Sequence, residues 1–256
     1  MNILFTICAR AGSKGLKNKN LKKLGDYSLL EHTLSVIDLY VKLNKIKGYN
    51  NRIDICVNTD SDELNELVKK YKTIIHIPRK ANLAGDTVSK ITVIKDTMQE
   101  AEKILNNKYN FIIDLDLTSP IRTLNDLNSM ISTIDNNDDL DVVFSVVKSR
   151  RSPYFNMVQE SNGGYRLVKD TKFTTRQETP NVFDMNASMY IYRRQFLINS
   201  NRIFDGKCGI IEMNDYLVLD IDSEDDYDWM SYIYQRVLQL DYGVREVYNN
   251  IENITL

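Results

Sequence analysis

The sequence predicts an α/β protein built on a doubly wound, mostly parallel sheet, and three observations predict it. Short apolar runs at residues 3–9, 53–58, 73–77, 109–115 and 140–147 alternate with segments whose apolar residues recur at helical spacing. Their side chains are continuous Val, Ile and Leu, as in strands covered on both faces, where a half-exposed strand would alternate with polar residues. Glycines, cations and carboxylates gather where the runs end, which is where such sheets present their ligands.

Composition narrows the function classes. The chain has 256 residues, 43% hydrophobic and 27% charged, which suits a single domain over residues 1–256 carrying at most an insertion. Thirty-three basic against thirty-five acidic residues leave a formal charge of −2, so no global field draws the chain to nucleic acid or to a membrane surface. Any phosphate site must be local. Cys8, Cys56 and Cys208 are odd in number and outside any Cys-x-x-Cys spacing, so they read as reduced thiols. The chain runs from Met1 straight into its first apolar run, without a basic leader and cleavage site, and no apolar stretch is long enough to span a bilayer. The expectation is a cytoplasmic protein.

Each element follows from local pattern. After the strand at 3–9 and a basic loop, Leu29, Leu30, Thr33, Leu34, Ile37, Tyr40 and Val41 share one helical face. A second strand at 53–58 leads to Asp60 and Glu63, a capping-box pattern opening a helix over 63–71. A third strand at 73–77, a loop at 78–86 and a helix over 87–105 come next. The fourth strand, 109–115, stops at Thr118-Ser-Pro120, and helix 123–135 with strand 140–147 completes the alternation. From Lys148 to Asp184 the rhythm breaks into polar and aromatic pieces, with Asn162-Gly-Gly164 as a hairpin turn. Residues 148–184 therefore read as an excursion from the sheet, a dimerisation arm. Strands return at 188–193 and 216–221, and a closing helix over 223–240 turns Trp229, Ile233, Val237 and Leu240 inward.

Five stretches can carry chemistry. In Cys8-Ala-Arg-Ala-Gly-Ser-Lys-Gly-Leu-Lys-Asn-Lys-Asn20 the glycines let backbone N–H groups approach an anion, and Arg10, Lys14, Lys17 and Lys19 can neutralise it. The plainer alternative is a solvated basic turn. The loop is neither Gly-x-Gly-x-x-Gly nor Gly-x-x-x-x-Gly-Lys-Ser/Thr, which weighs against dinucleotide and P-loop readings. Asp220-Ile-Asp222 puts two carboxylates on one face of a strand end. Two readings stand: a shared hard cation such as Mg²⁺, or an acidic cap on the following helix, continued by Glu224, Asp225 and Asp226. Asp114-Leu-Asp116 ends the fourth strand in the same way and needs a metal, a cation or a sugar hydroxyl as partner, with Arg122 the candidate cation in a functional or purely structural pair. Arg176-Gln177 and Asp184-Met-Asn-Ala-Ser188 carry groups able to grip a carboxylate or an amide. His32 and His76 receive no role, and no serine nucleophile elbow or zinc spacing is present.

Taken in order, Ala9-Arg-Ala-Gly-Ser-Lys-Gly15, Lys19-Asn20, Leu83-Ala-Gly-Asp-Thr87, Thr118-Ser-Pro-Ile-Arg122, Arg176-Gln177 and Asp220-Ile-Asp222 span nearly the whole chain. In these stretches it resembles the cytidylyltransferases that activate nonulosonic acids, the CMP-sialic acid synthetase family. Ser152-Pro-Tyr-Phe-Asn-Met157 and Asp184-Met-Asn-Ala-Ser188 are more similar to the bacterial branch that handles legionaminic-type acids. The resemblance implies a Rossmann-like nucleotidyltransferase fold and a reaction in which the anomeric hydroxyl of an α-keto acid sugar attacks the α-phosphate of CTP, giving a CMP-sugar and pyrophosphate with Mg²⁺ assisting. By that resemblance Arg10, Lys14 and Lys19 hold the triphosphate, Asn20, Arg79, Thr87 and Ser89 contact the nucleotide, and Asp220 and Asp222 hold the metal. Asp116, Arg122 and Gln177 fall on the substrate side. Arg176 matches the family's active-site arginine, set in the arm, which implies a homodimer with Arg176 acting across the interface.

One departure matters. Where sialic acid enzymes read Gln-Pro-Thr-Ser-Pro, with that glutamine on the acceptor sugar, this chain reads Asp116-Leu-Thr-Ser-Pro120. A charged Asp116 accepts hydrogen bonds and donates none, which points away from N-acetylneuraminate toward a bacterial nonulosonate such as legionaminic acid. A metal-dependent nucleotide-sugar glycosyltransferase also uses Asp-x-Asp, but the phosphate loop on the first strand argues against it. A CMP-Kdo synthetase shares the chemistry, and Lys19-Asn20 and Arg176-Gln177 favour the nonulosonate branch. A regulatory domain that only binds nucleotide would leave Asp220, Asp222 and Arg176 without a shared purpose.

Overall fold

The computed structural model describes residues 1–12, 15–16, 18–215 and 220–256. Strand β1 (Asn2–Cys8) leads through the basic loop to a short ribbon, β2 (Lys23–Leu24) against β3 (Tyr27–Ser28), and then to α1 (Leu29–Ile46). Ser28 and Glu31 form a full capping box at the start of α1. Next come β4 (Arg52–Thr59), α2 (Asp62–Val68), β5 (Ile74–Pro78) and α3 (Lys90–Leu105), followed by β6 (Phe111–Leu115), α4 (Leu124–Asp135) and β7 (Val142–Lys148). The hairpin β8 (Val158–Ser161) and β9 (Gly164–Leu167) precedes β10 (Phe183–Arg193), α5 (Arg194–Asn199) and β11 (Cys208–Glu212). Helices α6 (Glu224–Leu240) and α7 (Tyr242–Asn250) close the chain.

Among the described residues the main sheet has seven strands in the order β11-β7-β10-β6-β1-β4-β5, all parallel except β10, which runs antiparallel to both β6 and β7. Alternate residues of β1 feed two cores, as a strand covered on both faces requires. Ile3, Phe5 and Ile7 pack with α1, α4, α6 and α7, while Leu4 joins Ile94 and Met98 of α3 and Phe196 and Leu197 of α5 on the other face. The expected doubly wound, mostly parallel sheet is therefore present.

Details differ for local reasons. The helix expected from 87 begins at Lys90, because Ser89 has extended φ and ψ and is its N-cap. The helix expected from 63 begins at Asp62, capped by the Ser61 hydroxyl, which accepts the Leu64 N–H; Asp60 turns away to accept the Ala11 N–H at 2.7 Å. The last strand of the excursion starts earlier than 188, since Phe183 already pairs with Lys148, and a bulge between Met185 and Tyr190 interrupts β10. The strand expected at 216–221 falls, for residues 216–219, outside the described residues. On α6 the inward face is Met230, Tyr234 and Val237, whereas Trp229 and Leu240 are 61% and 65% exposed. The apolar positions of α6 allow two neighbouring stripes, and Tyr234 stacking edge-on to His32 fixes the one that is used. Both β11 and α7 were absent from the sequence reading. Among the described residues no helix is long and apolar enough to cross a membrane.

The chain terminus is tied to α1 by Asp38, whose side chain is fully buried. Its carboxylate accepts from Lys42, from Asn250 at 2.9 Å, and from the N–H and hydroxyl of Thr255, both at 2.9 Å. Burial opposes ionisation there, but these donors outweigh it and hold the carboxyl below its ordinary value. A folded-state value below the unfolded one gives stability that is complete above about pH 4 and lost as pH falls through the lower value. Asp38→Ala should cost about 3 kcal/mol at pH 7, the range for breaking a buried ionic group. Denaturant titration should show the gap between variant and parent closing as pH drops below about 4.

Candidate active site

The carboxyl ends of the adjacent parallel strands β1, β4 and β6 border one crevice, and the described sequence-predicted residues outside the 148–184 excursion stand around it. At the β1 end, the Arg10 side chain pairs with Asp86 at 2.5 Å and donates to the carbonyl of Ala84 at 3.2 Å. The basic loop is thereby clamped to the Leu83–Thr87 segment. Asn20 donates to the Arg10 carbonyl at 2.9 Å, so it supports the loop from behind. Arg79, just past β5, donates through Nε to Asn58 Oδ1 at 2.7 Å and through Nη2 to the Asn58 carbonyl, which also accepts the Ala9 N–H. These bonds lock the exits of β1, β4 and β5 together. Thr87 and Ser89 are exposed at the head of α3, and the Ser89 hydroxyl makes no capping bond to its own helix. Lys14 and Lys17 lie outside the described residues.

Lys19 reaches across the crevice to the Asp-x-Asp segment, donating to Asp222 Oδ1 at 2.8 Å and to the Ile221 carbonyl at 3.3 Å. The approach is close enough to constrain the loop: a Cβ on Gly15 would stand 2.2 Å from the Asp222 main-chain oxygen. Only glycine permits that contact. Ile221 N–H in turn bonds the Thr118 carbonyl at 3.0 Å, which ties Asp220 and Asp222 to the loop after β6. The carboxyl of Asp220 is raised above its ordinary value by burial and by the negative charges of Asp116 and Asp222, against a hydrogen bond from Thr118 and the charge of Lys19. Its Oδ1 is buried and has no hydrogen-bond partner among the described residues.

Asp114 and Asp116 occupy the crevice floor, but their partner is Lys90, the first residue of α3. Its Nζ is 2.9 Å from Asp114 Oδ2 and 2.5 Å from Asp116 Oδ2. Asp114 is fully buried and accepts the Thr6 hydroxyl at 2.8 Å; Asp116 Oδ1 takes the N–H and hydroxyl of Thr118 at 2.9 and 2.7 Å. Burial alone would lower the Lys90 ammonium, yet the two carboxylates outweigh it and hold its pKa well above the ordinary value. Burial likewise favours a neutral Asp116, but Lys90 and Thr118 hold it far below the usual carboxylate range. Arg122, expected on the substrate side or as the ion-pair partner of these carboxylates, makes no ion pair with them among the described residues. It is 1% exposed, and its Nη2 donates to the carbonyls of Asp116 and Ser119, so it braces the turn from beneath; burial brings its pKa down to about 10.

The arm residues stand apart. Arg176 and Gln177 form a short 3₁₀ turn at the arm base, where Arg176 donates to the Ser149 carbonyl at 3.0 Å. With Lys148 and Arg151 they line a cationic cavity of about 360 Å³. No described hydrogen bond or ion pair joins this turn to the crevice. Lys90, Thr6 and Asn58 are the residues the sequence reading missed. The signal for Lys90 was its position: a cation directly after an N-cap opposes the helix dipole, and such a placement calls for anions nearby.

Fold and crevice together define a nucleotidyltransferase of the Rossmann-like class, with a cationic loop on the first strand facing paired carboxylates. The chain belongs to the cytidylyltransferase family, whose model matches residues 4–246. It is a CTP-dependent enzyme of that type. It is 34% identical over 233 residues to the CMP-N,N′-diacetyllegionaminic acid synthase of Campylobacter jejuni, covering 90% of this chain and 94% of the relative. Identity and coverage are the same to the post-translational flagellin modification protein B of Campylobacter coli. The N-acylneuraminate cytidylyltransferase of Streptococcus agalactiae is 26% identical over 252 residues, 98% of this chain but 57% of that longer protein. A CTP complex of CMP:2-keto-3-deoxy-manno-octonic acid synthetase superposes with a TM-score of 0.63 at 13% identity, over 92% of this chain and 99% of that one, a likeness of fold.

The Gly15 contact gives a direct test. Gly15→Ala should separate the loop from Asp222 and reduce turnover on the order of 100-fold, the scale of a displacement of about 1 Å at a reacting centre. Its melting temperature should stay near that of the parent, because the contact joins two surface segments.

Proposed function

We propose that the chain transfers CMP from CTP to the anomeric hydroxyl of a nonulosonic acid, legionaminic acid or a related sialic acid, with release of pyrophosphate. The observation that carries this reading is the joining of the basic loop to the Asp-x-Asp segment, through Lys19 and Asp222 at 2.8 Å and the Gly15 contact. Phosphate-sized cations and hard oxygen ligands face one another across a single crevice. The legionaminic acceptor is supported by the printed name of a relative at 34% identity and nearly full length.

In this reading the anomeric hydroxyl oxygen of the acceptor attacks the α-phosphorus in line; a new O–P bond forms, the hydroxyl proton passes to solvent water, the bond from the α-phosphorus to the bridging oxygen breaks, and pyrophosphate leaves with that electron pair. Arg10 and Lys19 exchange Asp86 and Asp222 for phosphate oxygens, and Lys14 joins them by its place in the loop. Their charge counters the charge that develops on the leaving group. Asn20 and Arg79 hold the loop and strand exits on the nucleotide side, with Thr87 and Ser89 exposed toward the base and ribose.

Asp220 and Asp222 fit a divalent cation, for which we propose Mg²⁺. Both offer hard carboxylate oxygens, and the buried, unpartnered Oδ1 of Asp220 is a position that a cation satisfies. Bound there, the ion would supply charge compensation to phosphate and a lowered pKa for a coordinated hydroxyl. Residues 148–184 serve as a dimerisation arm within one catalytic domain over residues 1–256, and Arg176 and Gln177 enter the partner's crevice in a homodimer. This is consistent with their cationic cavity lying away from their own chain's carboxylates. We place the enzyme in the cytoplasm.

The reading is tested by pyrophosphate release from each of the four nucleoside triphosphates with Mg²⁺, using N,N′-diacetyllegionaminic acid, N-acetylneuraminic acid and Kdo as acceptors. Release is expected with CTP alone and most rapidly with the legionaminic acceptor. Release with Kdo alone would move the enzyme to the rival branch. Asp222→Asn should keep its fold by circular dichroism and lose at least about 100-fold in turnover, the scale at which a charged catalytic contact is felt; near-parental turnover removes Asp222 from the metal site.

A further inference from the structure

Lys90 is the anomaly of the crevice. It is a cation at the first position of a 16-residue helix, where the helix dipole disfavours it, and it is surrounded by groups on the acceptor side of the fold. Its partners are Asp114 and Asp116 at the end of β6, and the Tyr190 ring of β10, whose centroid lies 5.5 Å from Nζ. Among the described residues Arg10, Asn20 and Arg79, in contrast, bond to the exits of β1, β4 and β5 and the segment after them.

The charge inventory of that half of the crevice is one-sided. Asp114, Asp116 and Asp220 are anions, and Arg122 is sealed beneath the turn at 1% exposure. An acid sugar must bring its own carboxylate into this half. An ammonium has three N–H donors, of which one goes to Asp116, while Asp114 faces the charge as an ion pair at 2.9 Å. The Lys90 side chain keeps 35% of its surface exposed, against 21% for Asp116 and none for Asp114, so Lys90 is the member of the trio open to a ligand.

We propose that Lys90 is a specificity-determining residue for the acceptor: it neutralises the Asp114–Asp116 pair and gives a remaining N–H to an anionic or carbonyl oxygen of the acid sugar. Asp116, with one oxygen on Thr118 and the other on Lys90, then reads the acceptor as half of an ion pair and not as a bare carboxylate. This rests on the transfer reaction proposed above and names the residue that recognises its acidic substrate.

The experiment measures KM for CTP and for N,N′-diacetyllegionaminic acid separately, in the parent, in Lys90→Arg, and in the double variant Lys90→Met with Asp114→Asn. The double variant removes Lys90 together with the fully buried Asp114, so the one carboxylate left without its cation is the partly exposed Asp116, which keeps its two hydrogen bonds from Thr118. The double variant should raise the acceptor KM about tenfold or more, the scale of a lost charge-assisted hydrogen bond, with the CTP KM changed less than about twofold. Lys90→Arg should recover part of the acceptor affinity. An unchanged acceptor KM, or parallel rises in both KM values, overturns the assignment and leaves Lys90 a structural brace. Absence of pyrophosphate release in the parent overturns the transfer reading itself and this assignment with it.

Discussion

A fully buried carboxylate at the end of a central strand must be paired, and in this chain Asp114 sets that requirement. The pairing draws in three elements at once: Thr6 from β1 donates one hydrogen bond, and Lys90 projects from the first turn of α3 to bridge Asp114 and Asp116. Through Asp116 the network passes to Thr118, and from the Thr118 carbonyl to Ile221, which positions the Asp-x-Asp pair. Lys19 and Gly15 complete the circuit back to β1. The crevice is thus a ring of charge compensation, with the buried Oδ1 of Asp220 as the point it leaves unfilled.

The parts of this that were legible in the sequence are those encoded locally. Continuous apolar strands alternating with helical periodicity announced the sheet, and the helix expected over 123–135 is α4 to within a residue. The Asn162-Gly163 turn announced the hairpin of β8 and β9. Strand direction is not local: the residues of β10 would suit a parallel strand equally, and its antiparallel place between β6 and β7 follows from the excursion that precedes it.

The site was legible as a set of motifs and obscure in its wiring. Arg122 is close in sequence to Asp116, which suggested a partnership, yet its side chain turns back onto main-chain carbonyls. Lys90 is 26 residues from Asp116, beyond any local spacing rule, and becomes a neighbour only when α3 packs across the sheet. The stripe on α6 shows the same limit: Trp229 and Tyr234 are both plausible inward residues until the His32 ring selects one of them.

The arm leaves the sheet at the end of β7 and re-enters at the start of β10, and those two points, Lys148 and Phe183, face each other across the same antiparallel ladder. Antiparallel neighbours are separated by about 5 Å, so the excursion has its ends clamped at the distance of an ordinary hairpin, however many residues lie between them. A segment closed in this way can be lengthened, shortened or exchanged at little entropic cost, because closure grows only slowly with loop length. The seven-stranded platform and the arm are therefore free to diverge at different rates. One sheet can keep its crevice fixed while the segment between Lys148 and Phe183 changes in length and sequence.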